Sequence, residues 1–339
     1  MTRTEDIFLG HHQAQFPNKK VAGEQLTLEG ETFYKISNVD AMRPFFMSIV
    51  SNSNHWMFIS SKGSLSAGRK NSNNALFPYY TDDKITESSE TTGSKTIFLV
   101  TKSGKKFLWE PFSNLHEGIY SLSRNLYKNS YGNKIIFEEI NHDLGITFTY
   151  EWNSSNQFGF VKKSCVTNNN SESVTINFVD GIQNILPYGV EEALQNSSSN
   201  LVDAYKKNEL EEDTGLGIFS LSAIIVDKAE PSEALKSNII WSLGLENSKK
   251  LISSLQLDAF RKGQPITQEV DIKAEKGAYF LNEEITLGSE ASKKWMLIAN
   301  VNQTMSDIVT VKEQILNHSD LVSEIEKDIK AGSKHLVEL

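Results

Sequence analysis

The chain lacks most of what would mark it as a membrane, nucleic-acid or disulfide-stapled protein. Its 339 residues hold one cysteine, so no internal disulfide can form, and a reducing cytoplasm fits that usage. Apolar runs such as residues 223–226 fall far short of the ~20 residues that span a bilayer. Lys and Arg number 34 against 43 Asp and Glu, a net charge of −9 without long blocks of one sign. With no basic stripe to neutralise phosphates, nucleic acid is a poor partner. The N-terminus carries Arg3, Glu5 and Asp6 and no apolar h-region, so it does not read as a secretory signal. The sequons at Asn153, Asn169, Asn196, Asn302 and Asn317 then read as accidents of composition.

Chemical motifs are missing too. There is no GxxxxGK[ST] loop, and Gly215 and Gly217 lack the third member of a dinucleotide fingerprint. The seven histidines show no metal spacing beyond the adjacent His11-His12, and neighbours on a strand point to opposite sides. No cofactor or metal is implied. No GxSxG elbow or Cys/His grouping suggests acyl transfer, and Cys165, in the strand-like run Phe158–Val166, reads as a buried structural thiol. The carboxylate pairs are Asp82-Asp83 and Glu138-Glu139. Glycoside chemistry needs two carboxyls facing each other roughly 5–9.5 Å apart, which sequence neighbours seldom supply; on a strand one of Glu138 and Glu139 faces out and the other faces in or sits at an edge, and the solvated reading leads. No acid is assigned a catalytic role.

What is present points to β structure. There are 28 Asn and 39 Ser, turn formers that disfavour long helices. Period-2 patterns recur from Thr32–Ile36 through Gly145–Trp152 to Trp295–Val301, about fourteen candidate strands in all. Short turns such as Ser103-Gly104 and Asn141-His142-Asp143 with Gly145 join consecutive runs, which makes the pairing mostly antiparallel. No fixed period recurs, against a propeller or solenoid. The expectation is all-β: a large antiparallel β-sandwich over residues 1–303.

Two stretches break the pattern. Ser197–Glu212 reads as a helix ending at Gly215, and from Ser306 onward Ile308, Val311, Ile315, Val322, Ile325, Ile329 and Leu336 recur at threes and fours. The second is an amphipathic helix of about 25 residues, or a pair broken near Asn317-His318-Ser319. Its stripe needs a surface: the sandwich itself, or, as the preferred reading, a further domain to which residues 304–339 are a helical linker.

The segment Ser60–Asp83 is the richest in binding chemistry. It runs long without periodicity and places Arg69, Lys70 and Asn71 near Tyr79, Tyr80, Asp82 and Asp83. Forked polar donors beside flat aromatics suit a sugar, whose hydroxyls take hydrogen bonds and whose ring faces stack. The competing reading has the aromatics capping the core and Arg69 paired with the aspartates on the surface.

The order ISSKGSLSAGR (Ile59–Arg69), YYTDDKI (Tyr79–Ile85), FLVTKSGKKFLWEPFS (Phe98–Ser113), FEEINHDLGITFTYEW (Phe137–Trp152) and FGFVKKSCVTNNNSESVTINFVDGIQNILPYG (Phe158–Gly189) resembles the N-terminal domain of cellobiose phosphorylase-like proteins, glycoside hydrolase family 94. The resemblance is of order and pattern over most of Phe33–Val301. It implies a galactose mutarotase-like supersandwich followed by a linker helix and a separate (α/α)6 catalytic barrel, which this chain does not contain. It further implies an oligosaccharide ligand, inorganic phosphate as co-substrate of a full-length phosphorylase or hydrolase, a homodimer contact, and a non-catalytic role for this chain alone. Two other readings stand beside it: a stand-alone carbohydrate-binding module, and a mutarotase-like epimerase. The last would need one of His55, His116 or His142 to meet Glu117 or Glu139 in a sheet concavity.

Overall fold

Strand formation follows the alternation closely. Along Ile146–Ser155, Ile146, Phe148, Tyr150 and Trp152 are buried while Thr147, Thr149 and Glu151 are only half-buried, the two-residue period of a strand with one core face. The computed structural model describes residues 6–223, 225, 235–317 and 319–338. The expected strand Gly217–Asp227 appears as Leu216–Leu221, and its continuation through Ile224 and Val226, like His318, lies outside the described residues.

The strands form three principal sheets, antiparallel throughout. The large sheet has eleven strands, ordered Asp271–Lys273, Lys206–Glu211, Leu216–Leu221, Lys236–Leu243, Ser292–Thr304, Gly159–Asn168, Ile146–Ser155, Ile135–Asn141, Leu122–Asn129, Glu31–Ser37 and Ala22–Leu28. The middle sheet has five: Lys105–Trp109, Gly93–Lys102, Val174–Ile185, Gly277–Leu287 and Lys249–Leu251. The small sheet has four: Phe46–Ile49, His55–Ser60, Leu65–Arg69 and Ala75–Phe77. Among the described residues five α-helices accompany them: α1 (Asp82–Glu87), α2 (Glu192–Tyr205), α3 (Leu257–Arg261), α4 (Met305–Asn317) and α5 (Leu321–Glu338). The expected large antiparallel β-sandwich with C-terminal helices is the fold observed.

The core lies between the large and middle sheets. Phe178 and Trp295 stack across it at 4.8 Å between ring centroids, and Phe98 meets Phe148 edge-on at 5.2 Å. Within this apolar layer sits a charge pair. Lys162 of the large sheet and Asp180 of the middle sheet are both wholly buried, with Nζ 2.7 Å from Oδ1. Asp180 also accepts from Thr96 Oγ1 at 2.6 Å, Ser164 Oγ at 3.0 Å and Trp295 Nε1 at 2.7 Å. A second clasp joins the same sheets: Glu139 accepts from Trp109 Nε1 at 2.8 Å, Phe112 N at 2.7 Å and Arg124 Nε at 2.6 Å.

Several expectations are corrected here. The Ser197–Glu212 helix is instead α2, starting at Glu192, followed by the strand Lys206–Glu211. Glu139 is not solvated; alternation turns it into the core and leaves its neighbour Glu138 on the other face. The C-terminal stripe does form a helix pair, and the large sheet covers it. Ile308, Leu321, Ile325 and Ile329 pack with Phe158, Val161, Trp241 and Ile298 on the sheet's outer face, each fully buried isoleucine contributing about 1.5–3 kcal/mol. Gly332 lies within α5, where a Cβ would stand 2.8 Å from Asn52 Oδ1; the glycine permits close approach.

Removing one member of a buried pair strands the other. Asp180→Ala is expected to cost about 3–5 kcal/mol in urea unfolding at pH 7. Lys162→Met should cost less, since Asp180 keeps three other donors, and the double variant should be more stable than Asp180→Ala alone. An Asp180→Ala midpoint equal to the parent's would contradict this role.

Candidate functional site

The structure separates the seven residues singled out in Ser60–Asp83. Arg69 stands opposite His55 in the strand register and reaches toward the large sheet, donating from Nε to Asn54 Oδ1 at 2.7 Å and from Nη1 to Asn300 Oδ1 at 3.1 Å. The surface pairing of Arg69 with the aspartates is not among the described contacts. Lys70 and Asn71 follow it in an exposed turn, where Asn71 O accepts from Trp56 Nε1 at 3.1 Å. Tyr79 is on the opposite face of the small sheet, its ring 5.4 Å from that of Trp56. Gly68 makes room there: a Cβ would meet the Trp56 ring at 2.5 Å. Tyr80 lies beside Lys84, and Asp82 and Asp83 open α1 in solvent.

His55 is packed edge-on against Phe160 with a ring separation of 4.8 Å, its Nδ1 2.7 Å from Ser53 Oγ. Burial, reinforced by the Arg69 charge, lowers its pKa from 6.5 to about 3. His116 Nε2 is 3.4 Å from Glu110 Oε1, and His142 bonds Ser123. Burial opposes ionisation of Glu110, but Arg261 and Lys95 outweigh it and bring its pKa to about 2.

A roomy cleft with convergent chemistry lies elsewhere, on the outer face of the large sheet. Its volume is about 600 Å³. Leu28 and Leu243 both line it, although six strands lie between theirs in the sheet order, so this face is concave. The floor is the outward set of the central strands. Glu138 pairs in register with Thr149, Ile136 with Glu151, Glu151 with Lys163, and Cys165 with both Thr149 and Lys294. Glu138 and Glu151 are therefore diagonal neighbours, about 7–8 Å apart at the backbone. Glu138 accepts from Asn125 Nδ2 at 2.7 Å and Tyr127 OH at 2.8 Å. Burial, followed by the Glu138 charge, raises the Tyr127 pKa, so the phenol stays a donor. One wall is α5, held by Lys163 Nζ 2.7 Å from Glu326 Oε1.

Sequence reasoning missed this cleft. Cys165 is half-buried at its floor rather than a buried structural thiol. The available signal was the charged doublets inside apolar strands, Glu138-Glu139 and Lys162-Lys163, each of which sends one charge into the core and one to the opposite face. None of the cleft's lining residues is a histidine, so the His–Glu pair that an epimerase would need is not formed there. Among the described residues, no group of three or more His, Cys, Asp or Glu is placed to hold a metal, and no helix is long and apolar enough to cross a membrane.

No family model matches the chain, and no curated protein does. Among solved structures, a polysaccharide lyase is similar over 80% of this chain and 34% of its own, at 11% identity and a TM-score of 0.43. A galactose mutarotase-like protein from Lactobacillus casei ATCC 334 is similar over 76% of this chain and all of its own, at 11% identity and a TM-score of 0.38. A human-microbiome protein described as a kojibiose phosphorylase matches 70% of this chain and 27% of its own, at 10% identity and a TM-score of 0.35. The chain thus spans about a third of the lyase and about a quarter of the phosphorylase.

The buried His55 generates a prediction. With a pKa of 6.5 unfolded and about 3 folded, it binds more protons in the unfolded state between those values. Stability therefore rises with pH across that window and is lost as pH falls from 6.5 toward 3. The stability difference between parent and His55→Asn should change with pH across this window and level off above pH 7, read from urea midpoints. A constant difference from pH 4 to 7 would refute the assignment.

Proposed function

We propose that the chain is a carbohydrate-binding sandwich domain, non-catalytic by itself, of a glycoside phosphorylase or hydrolase of the cellobiose phosphorylase-like kind. The concave cleft carries this reading. It sets the Tyr127 phenol, the carboxylates of Glu138 and Glu151 and the ammonium groups of Lys163 and Lys294 around a floor that also holds Thr149 and Ile136. Fixed donors and acceptors interleaved with apolar atoms are what a sugar's hydroxyls and C–H faces require. Glu138 Oε1 already accepts hydrogen bonds from Asn125 Nδ2 and Tyr127 OH, which commits that carboxyl to its neighbours on the floor rather than to a glycosidic oxygen. The catalytic acid is accordingly assigned to a further domain reached through residues 304–339, with inorganic phosphate or water as its co-substrate. The sandwich would shape that active site or a homodimer contact in the cytoplasm.

Calorimetric titration with a panel of β-linked gluco-oligosaccharides is the test. At least one should bind, and Glu151→Gln and Lys294→Ala should each weaken it about tenfold, the loss of roughly one charge-assisted hydrogen bond. No sugar or sugar phosphate should be released by this chain alone. Turnover would overturn the non-catalytic role, and no binding across the panel would overturn the sugar reading.

A further inference from the structure

A separate cavity of about 360 Å³ opens on the inner face of the large sheet. It lies beside the edge strand of the middle sheet, where the lining residue Tyr120 donates its OH to Leu108 O at 2.8 Å. Its walls come from residues 15–19, 39–42 and 112–118 and from the strands that carry Arg124 and Phe137. It shares no lining residue with the cleft.

One part of the lining is polar and only partly satisfied. Arg124 stands opposite Glu139 in the strand register, and that buried carboxylate fixes the guanidinium through Nε. Nη1 donates to Asn114 Oδ1 and Nη2 to Ser113 O, each at 2.6 Å. A guanidinium has five N–H groups, so one on each terminal nitrogen is left over. The side chains of Gln15, Asn18 and Glu117 line the same cavity and make no hydrogen bond among the described residues. Another part is apolar and open. Phe16 is 56% exposed and yet held in place: Gln15 N donates to Gly118 O at 2.7 Å, and a Cβ on Gly118, whose φ is 83°, would stand 3.0 Å from the Phe16 ring. An exposed ring fixed in this way is a stacking platform that needs no further ordering when a ligand arrives. Phe112, also in the lining, has a φ of 62° and gives its N–H to Glu139. A bulky residue rarely adopts that backbone, and such strain concentrates where side chains are aimed at ligands.

Charge balance selects the ligand. The lining holds Lys19, Lys62 and Arg124 against Asp40 and Glu117, and Glu139 behind Arg124 evens the two signs. Lys19 and Asp40 also pair with each other at 2.5 Å. A phosphate or carboxylate therefore meets no surplus of positive charge. A neutral ring with hydroxyls at its edge and C–H groups on its faces meets both unclaimed donors and acceptors and an aromatic surface. We propose that this cavity binds a neutral mono- or disaccharide, stacked on Phe16 and hydrogen-bonded by Arg124 and Glu117. The site stands on the inner face of the sheet and does not depend on the function assigned to the cleft.

The test uses the intact chain carrying Glu151→Gln and Lys294→Ala, which weaken the cleft, titrated with glucose, cellobiose, glucuronate and inorganic phosphate by calorimetry and ligand-observed NMR. Glucose or cellobiose should bind, and glucuronate and phosphate should not. Adding Phe16→Ala or Glu117→Gln should weaken the sugar about tenfold, the loss of one stacking contact or one hydrogen bond. Both residues are exposed, so the melting temperature should stay at the parent's. Leu115→Ala, 59% exposed but outside the lining, should leave the affinity unchanged. A sugar that binds the parent chain but not the cleft-weakened one would leave the cleft standing and refute this site. Affinity insensitive to Phe16→Ala and Glu117→Gln, an equal loss with Leu115→Ala, preference for glucuronate or phosphate, or no sugar binding at all would overturn it as well.

Discussion

The arrangement depends on the buried contact between Lys162 and Asp180. Two apolar sheet faces can slide against each other at little cost, because dispersion contacts have no direction. Asp180 removes that freedom. Its carboxylate meets an ammonium, two hydroxyls and an indole N–H from three other strands, and a shift of either layer breaks several of these at once. A buried pair adds little net stability over an apolar one; what this pair supplies is register.

Register in the core decides what the outer face presents. Side chains alternate along a strand, so a one-residue slip exchanges the two faces. With Lys162 and Ser164 turned inward to Asp180, Lys163 and Cys165 must face outward; with Glu139 clasping Trp109 and Arg124, Glu138 must do the same. The composition of the concave cleft is thus fixed from the other side of the sheet. Sequence identity alone does not distinguish the two members of each doublet. Burial costs the inner lysine dearly, and desolvation lowers its pKa against the pull of Asp180.

This explains what was legible in the chain and what was not. Period-2 alternation in runs such as Ile146–Ser155 is a local signal, and the β class followed from it. The partner of Lys162 lies in another layer, which no local pattern records. Lys206–Glu211 has the polar composition of a helix surface, but pairing on both sides with Leu216–Leu221 and Asp271–Lys273 makes it a strand. Ser60–Asp83 looked like one long loop because Ser66, Ala67 and Gly68 carry no large apolar side chain. They are strand residues buried on both faces, where small size replaces alternation. Residues read as neighbours on a loop therefore ended on opposite faces of a sheet.

The C-terminal helices complete the cleft by the same kind of geometric coupling. On α5, Leu321, Ile325 and Ile329 form one ridge at four-residue spacing and pack on the apolar part of the large sheet's outer face. Val322, Glu326 and Lys330, each one residue further on, form the adjacent ridge and line the cleft. Adjacent ridges on one helix move together. Docking the apolar ridge therefore sets the position of the polar one over the floor, and the Lys163–Glu326 pair locks it there. The amphipathic stripe is both the cover of the sheet's apolar half and the wall of its polar half. Any domain joined beyond α5 would have its position tied to the cleft through this helix.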